Sequence, residues 1–372
     1  MQFIDLHAQQ ARLKDDIDAG IADVLRHGRY ILGPQVGELE KRLAEFACAD
    51  HALSCANGTD ALLLPLMAWG VGLGDAVFCP SFTYHATAEV IALLGATPIF
   101  VDIDRDTYNL CPDSLKQAIA NVRAKGELTP RAVIVVDLFG QCADYKAITP
   151  IVRESGMKLV SDSAQGFGST LDERHPVAWA DVQTTSFFPA KPLGCYGDGG
   201  ALVTNDAALL EVLQSLRFHG RGEEPFDNNR IGLNSRLDTI QAAILLPKLA
   251  VFAEEIVARN RIAARYDEGL RNHVSRIPVI PGGVISTWAQ YTVEVCDPAA
   301  FSKALSEVGI PTARYYPRPT HRQTAYADFP TVGNGLPVTD LVSRVCISLP
   351  MHAYLKPEDQ DKVIEAALAA MP

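Results

Sequence analysis

Between residues 51 and 205, short apolar or β-branched runs alternate with stretches whose apolar positions recur at helical spacing. The runs at 51–56, 76–79, 98–102, 132–136 and 157–160 are apolar on both faces, and helical stretches at 60–69, 85–94, 113–122 and 145–155 separate them. Such runs, spaced by helices, predict a parallel sheet covered by helices. Further strands are expected at 184–188 and 201–204, on either side of a glycine cluster. Ahead of this region Ile17, Ile21 and Leu25 repeat at helical spacing, Gly33-Pro34 breaks the chain, and 36–46 reads as an amphipathic helix. Behind it, 237–271 reads as a long helix interrupted at Pro247. After Pro278 the pattern gives a strand at 290–295, a helix at 299–308, a strand near 312–316 and a helix at 357–369. The predicted fold class is therefore α/β, with a large domain of mostly parallel sheet over 1–250, including the N-terminal helix. A smaller C-terminal α+β domain covers 251–372.

Composition narrows the function. The 372 residues carry 33 basic and 44 acidic side chains, a net charge of −11, and no basic run. Nucleic acid is excluded as a partner, because phosphate-backbone binding needs clustered cations. The longest apolar stretch, 61–74, contains Pro65 and three glycines and falls short of the ~20 residues that span a bilayer. The N-terminus turns charged within a few residues, so no secretory leader is expected. Eight scattered cysteines without a Cys-x-x-Cys pair read as free thiols of a cytoplasmic protein. No His-Glu-x-x-His or paired cysteines are present, so no metal site is expected.

Four loops that follow predicted strands carry notable residues. Asn57-Gly58-Thr59-Asp60 opens the helix after the strand at 51–56, where unpaired N–H groups and the helix dipole attract anions. Alone, the segment reads first as an ordinary helix cap. Ser81-Phe82-Thr83-Tyr84-His85 follows the strand at 76–79 and offers an aromatic face. Asp162-Ser163-Ala164-Gln165 follows the strand at 157–160, its carboxylate either pairing with a cation or capping a helix. The most specific is Ser186-Phe187-Phe188-Pro189-Ala190-Lys191, followed by four glycines within 194–200. A lysine in apolar surroundings is costly, yet desolvation lowers its pKa and leaves a neutral amine able to form a Schiff base with a carbonyl. A surface lysine beside a flexible loop is the alternative. An anion cradle, an aromatic platform, a carboxylate and a Schiff-base lysine match the phosphate, ring face, pyridine nitrogen and aldehyde of pyridoxal 5'-phosphate.

These segments, together with Asn234-Ser235-Arg236-Leu237-Asp238-x-x-Gln241, stand in the order seen in DegT-type nucleotide-sugar aminotransferases, and nearly the whole chain resembles that family. The resemblance implies a fold-type I pyridoxal-phosphate enzyme that works as a homodimer with shared active sites. Lys191 would be the Schiff-base lysine and Asp162 the partner of the pyridine nitrogen. Gln165 would bond the phenolic oxygen and Tyr84 would stack on the ring. Gly58, Thr59 and Ser186 would hold the phosphate, with Asp60 in the same cofactor-binding loop. Asn234 would reach the phosphate from the neighbouring subunit.

Lys191-Pro192-Leu193-Gly194-Cys195-Tyr196-Gly197-Asp198-Gly199-Gly200 and Ile31-Leu32-Gly33-Pro34 are most similar to a subgroup aminating C3 of a UDP-linked 2-acetamido-3-keto-hexuronate for surface polysaccharide synthesis. L-glutamate would be the amino donor. Other 3- or 4-keto nucleotide sugars, or a dehydratase or lyase on the same fold, are alternatives. By the same resemblance Arg236, Tyr315, Tyr316 and His321 are candidate substrate contacts, Arg236 alternatively pairing with Asp238. Where the subgroup has His-Tyr-Pro, this chain has Tyr315-Tyr316-Pro317, and Tyr315 does not become cationic near neutral pH.

Overall fold

The computed structural model describes residues 1–224, 226–333 and 335–371. Helices α1 (Leu6–Arg12), α2 (Lys14–His27) and α3 (Pro34–Ala47) come first. Strands and helices then alternate: β1 (His51–Cys55), α4 (Gly58–Ala68), β2 (Asp75–Pro80), α5 (Ala86–Leu93), β3 (Thr97–Val101) and α6 (Pro112–Lys125). β4 (Thr129–Val136), α7 (Tyr145–Glu154) and β5 (Lys158–Asp162) continue the alternation, and β6 (Thr170–Leu171), β7 (Val182–Ser186) and β8 (Gly200–Thr204) follow without an intervening α-helix before α8 (Ala207–Arg217). The last third holds α9 (Thr239–Leu270), β9 (Val284–Ile285), β10 (Tyr291–Glu294), α10 (Pro298–Glu307), α11 (Pro337–Val345), β11 (Cys346–Leu349) and α12 (Pro357–Ala369).

Seven strands form one sheet in the order β1-β8-β7-β5-β4-β2-β3. Neighbours from β7 to β3 pair in parallel. β8 runs antiparallel to both β7 and β1, so β1 points the same way as β7. The carboxyl ends of β1, β2, β4, β5 and β7 therefore share one edge, where open α/β sheets collect ligands. The central strands are fully buried on both faces: Val133, Ile134, Val135, Leu159 and Val160 are all at 0% exposure. This explains why their apolar runs show no alternation.

α9 runs unbroken through Pro247, contrary to the expected interruption. Leu245, Leu249 and Phe252 pack against Val36, Leu39 and Leu43 of α3, and this contact holds the helix across the lost hydrogen bond. The 250 boundary thus falls inside a continuous helix, whose side chains change partner between Ile256 and Ile262. The C-terminal part also returns to the large sheet. Phe100 N–H donates to Pro330 O at 2.9 Å and Val332 N–H to Phe100 O at 2.9 Å, while Asp102 accepts the Val338 and Thr339 N–H groups at the start of α11.

Two further expectations change. The strand near 312–316 is reduced to one antiparallel bridge, Ala313 to Ser348, because Pro311 and Pro317 bound it and offer no ladder donors. In α2, Ile17 and Ile21 pack with Ile244 of α9 as their spacing predicts, whereas Leu25 is 59% exposed and Val24 is buried in its place.

Candidate active site

The shared strand edge is drawn together by glycines. Asn57, in extended conformation, caps α4 by accepting the Asp60 N–H at 2.8 Å, a cap that leaves the N–H groups of Gly58 and Thr59 untaken. Gly200 sits in register between Cys55 of β1 and Ser186 of β7. A Cβ on Gly200 would lie 2.3 Å from Asn57 O, and one on Gly58 would lie 2.6 Å from Ser186 Cβ. Only glycine at both places allows the end of β7 to meet the start of α4. Asp60 differs from the sequence expectation: its N–H is spent on the cap, and its carboxylate would repel a phosphate.

Asp162 ends β5 and is 6% exposed. Its Oδ2 accepts the Thr87 hydroxyl at 2.8 Å, and its Oδ1 accepts the Ala164 N–H at 3.2 Å. Burial pushes its pKa up, while those two donors and the charge of Lys191 pull it back. Lys191 lies five residues beyond β7, in a turn closed by its own N–H donating to Phe188 O at 2.8 Å. Desolvation lowers the Lys191 pKa and the charge of Asp162 opposes that shift. Two loops 29 residues apart in sequence thus bring an acid and a desolvated amine within reach of each other's charge.

Gln165 is buried, with Oε1 accepting the Phe139 N–H at 2.7 Å and Nε2 donating to Tyr316 Oη at 2.9 Å. One Nε2 hydrogen remains free. Tyr84 is half exposed, its ring 4.0 Å from that of His85. Tyr316 meets Phe82 edge-on at 6.1 Å, and Tyr315 lies 6.4 Å from Phe3.

His321 departs from its expected role as a substrate contact. It is 8% exposed, its Nδ1 is 2.7 Å from Ser81 Oγ, and its Nε2 is 3.3 Å from Asp340 Oδ1, out of line for a hydrogen bond. The ring is clamped inside the fold, where it braces the loop that carries Tyr84.

Asn234 is exposed and bridges Phe218 through the backbone. The Arg236 guanidinium lies 4.8 Å from the Phe218 ring, with its Nε buried and unpartnered. Among the described residues, no side-chain hydrogen bond joins Asn234 or Arg236 to the Asp162–Lys191 group.

Sequence reasoning missed Thr87 and Asp137. Thr87 stands one turn after Thr83 at the start of α5, and nothing in that spacing points to a partner 75 residues away. Asp137 follows an apolar strand as Asp162 does, a signal that was present. It is fully buried and accepts from Ala143 N–H, Tyr145 and two serine hydroxyls, and desolvation pushes its pKa up to about 6.

Residues 11–368 match the DegT/DnrJ/EryC1/StrS aminotransferase family. Over 370 residues the chain is 50% identical to a Pseudomonas aeruginosa UDP-2-acetamido-2-deoxy-3-oxo-D-glucuronate aminotransferase, covering 99% of both chains. A crystal structure of a DegT DnrJ EryC1 StrS aminotransferase from Brucella abortus superposes with a TM-score of 0.98 at 51% identity, covering 99% of each chain. DesV of S. venezuelae, solved in complex with a ketimine intermediate, gives a TM-score of 0.94 at 35% identity, covering 99% of this chain and 97% of that one.

Proposed function

The chain belongs to the DegT/DnrJ/EryC1/StrS aminotransferase family, and we propose that it moves an amino group from L-glutamate to C3 of a UDP-linked 2-acetamido-3-keto-hexuronate, using pyridoxal 5'-phosphate. The chemistry rests on one observation, a buried Asp162 held by the Thr87 hydroxyl and the Ala164 N–H at the same strand edge as the Lys191 turn. The substrate rests on the full-length 50% identity to an enzyme named for a 3-oxo-glucuronate.

The residues fit the cofactor. The cradle where Gly58 and Gly200 exclude side chains leaves N–H groups and the Ser186 hydroxyl for a phosphate, at a helix N-terminus that favours anions. When bound, pyridoxal phosphate supplies an aldehyde for the amino group and a ring that withdraws electrons. Lys191 would anchor it, and its free amine would move the proton at the substrate carbon. A lowered pKa keeps enough of the amine neutral for that work. Asp162 would hold a proton on the ring nitrogen, and the Thr87 and Ala164 donors favour its charged form. Gln165 has an N–H to spare for the phenolic oxygen, and Tyr84 would cover the ring face.

The enzyme works as a homodimer. Asn234 and Arg236 serve the neighbouring subunit's site, and exposed Tyr30, Ile31, Phe188 and Ile231 supply apolar surface for the contact. Tyr315 and Tyr316 flank the sugar. The reaction belongs in the cytoplasm, where all eight cysteines stay as free thiols, and feeds surface polysaccharide synthesis. No helix among the described residues is long and apolar enough to cross a membrane.

The test incubates purified protein with glutamate and a panel of keto-sugar nucleotides, following 2-oxoglutarate and product mass. One 2-oxoglutarate per aminated uronate is expected. Ammonia or pyruvate release without 2-oxoglutarate would replace transamination by a lyase or dehydratase reaction.

A further inference from the structure

A second buried lysine contacts the loop that follows Lys191. Lys248 of α9 is 1% exposed, and its Nζ donates to Gly194 O at 2.6 Å. The same ammonium stands 4.2 Å from the Tyr196 ring centroid, a cation–π contact in place of a carboxylate partner. Seven residues earlier on the same helix, Gln241 Oε1 accepts the Tyr196 N–H at 2.9 Å and its Nε2 lies 3.1 Å from where a Gly197 Cβ would be. α9 therefore grips 194–197 at two points one heptad apart, which places both side chains on one helical face.

The gripped segment is the return arm of the Lys191 turn. A Cβ on Gly194 would lie 2.4 Å from Pro189 O and 2.8 Å from Phe188 O, so Gly194 sits directly against the backbone that precedes Lys191. Phe188 O also accepts the Lys191 N–H. A force on the Gly194 carbonyl is thus passed to both ends of the turn that aims Lys191. A buried amine is an expensive way to fill space that methionine could fill, and the hydrogen bond it makes is to this carbonyl.

We propose that Lys248 is a positioning residue: through the Gly194 carbonyl it fixes the turn that presents the Lys191 amine, with Gln241 as a second tether on the same arm. This rests on Lys191 being the lysine that holds the cofactor, as proposed above.

The variants are Lys248→Met, which keeps length and loses the donor, Lys248→Arg, which keeps the donor, and Gln241→Met. Each is purified with cofactor and measured in three ways: thermal unfolding of the cofactor-free protein, the pH midpoint of the absorbance change of the Lys191-linked cofactor, and the glutamate half-reaction in single turnover. Lys248→Met should slow the half-reaction roughly 10- to 100-fold with glutamate affinity changed less than about threefold, and should shift the absorbance midpoint. Lys248→Arg should recover part of both. Gln241→Met should move both readouts in the same direction by less, and it carries the test if Lys248→Met does not fold. A lower unfolding temperature with unchanged midpoint and half-reaction, in whichever variants fold, overturns the proposal and leaves Lys248 a packing residue. Lys191→Ala is the separate control: if it kept a borohydride-reducible cofactor linkage, the assignment of Lys191 would fail whatever the Lys248 variants did.

Discussion

The Thr87 hydroxyl donates to Asp162 Oδ2 at 2.8 Å, joining the first turn of α5 to the end of β5 in a buried contact. A hydrogen bond to a carboxylate favours its charged form, worth about 1.5–3 kcal/mol, against a desolvation that pushes Asp162 the other way. Thr87→Val removes the donor, so the Asp162 pKa rises further. Because Asp162 acts as an anion in the proposed reaction, the acid limb of the kcat profile should move to higher pH, by about one unit. Thr87→Ser should leave it in place. An acid limb identical in Thr87→Val and wild type would remove Thr87 from the account.

The glycine cradle gives a prediction about cofactor affinity. Gly58→Ala places a methyl 2.6 Å from Ser186 Cβ, closer than packed carbons tolerate, so α4 must move away from the end of β7. Pyridoxal phosphate affinity, titrated on cofactor-free protein, should fall about tenfold or more, the cost of roughly 1.4 kcal/mol of lost contact. Far-ultraviolet circular dichroism should be unchanged. Wild-type affinity in this variant would mean that the phosphate binds elsewhere.

His352 predicts how the fold responds to acid. It is 5% exposed with Nδ1 unpartnered, and burial, with Arg259 nearby, pushes its pKa down to about 4. The unfolded histidine titrates near its ordinary value of 6.5. Between these values the unfolded chain binds the proton first, so the contribution to stability is complete above pH 6.5 and is lost as pH falls towards 4. The size is on the order of 3 kcal/mol. His352→Gln should flatten that loss, measured as the difference in urea unfolding free energy between pH 7 and pH 4.5. An equally steep loss in the variant would assign the acid response to other groups.

Much of the fold was legible because its central strands are apolar on both faces and end at recognisable loops. The helix expected at 357–369 is α12, Pro357–Ala369, opened by a proline at its first turn. α11 and β11 were missed, being nine and four residues long and joined without a turn signal. Pro247 misled because local propensity there yields to packing against α3. In the site, Asp162 was readable because it closes the apolar run of β5, and Lys191 because four glycines follow it within 194–200. Thr87 was not, because its partner is set by strand order and not by spacing. Lys248 was not, because a lysine within a long helix ordinarily faces water.

Reducing the cofactor-loaded protein with borohydride, digesting it and locating the added pyridoxyl mass by mass spectrometry tests whether this pocket is what it has been taken to be. The account predicts one modified residue, Lys191, and loss of the label in Lys191→Ala. A label on Lys248, on another lysine or on none would contradict it.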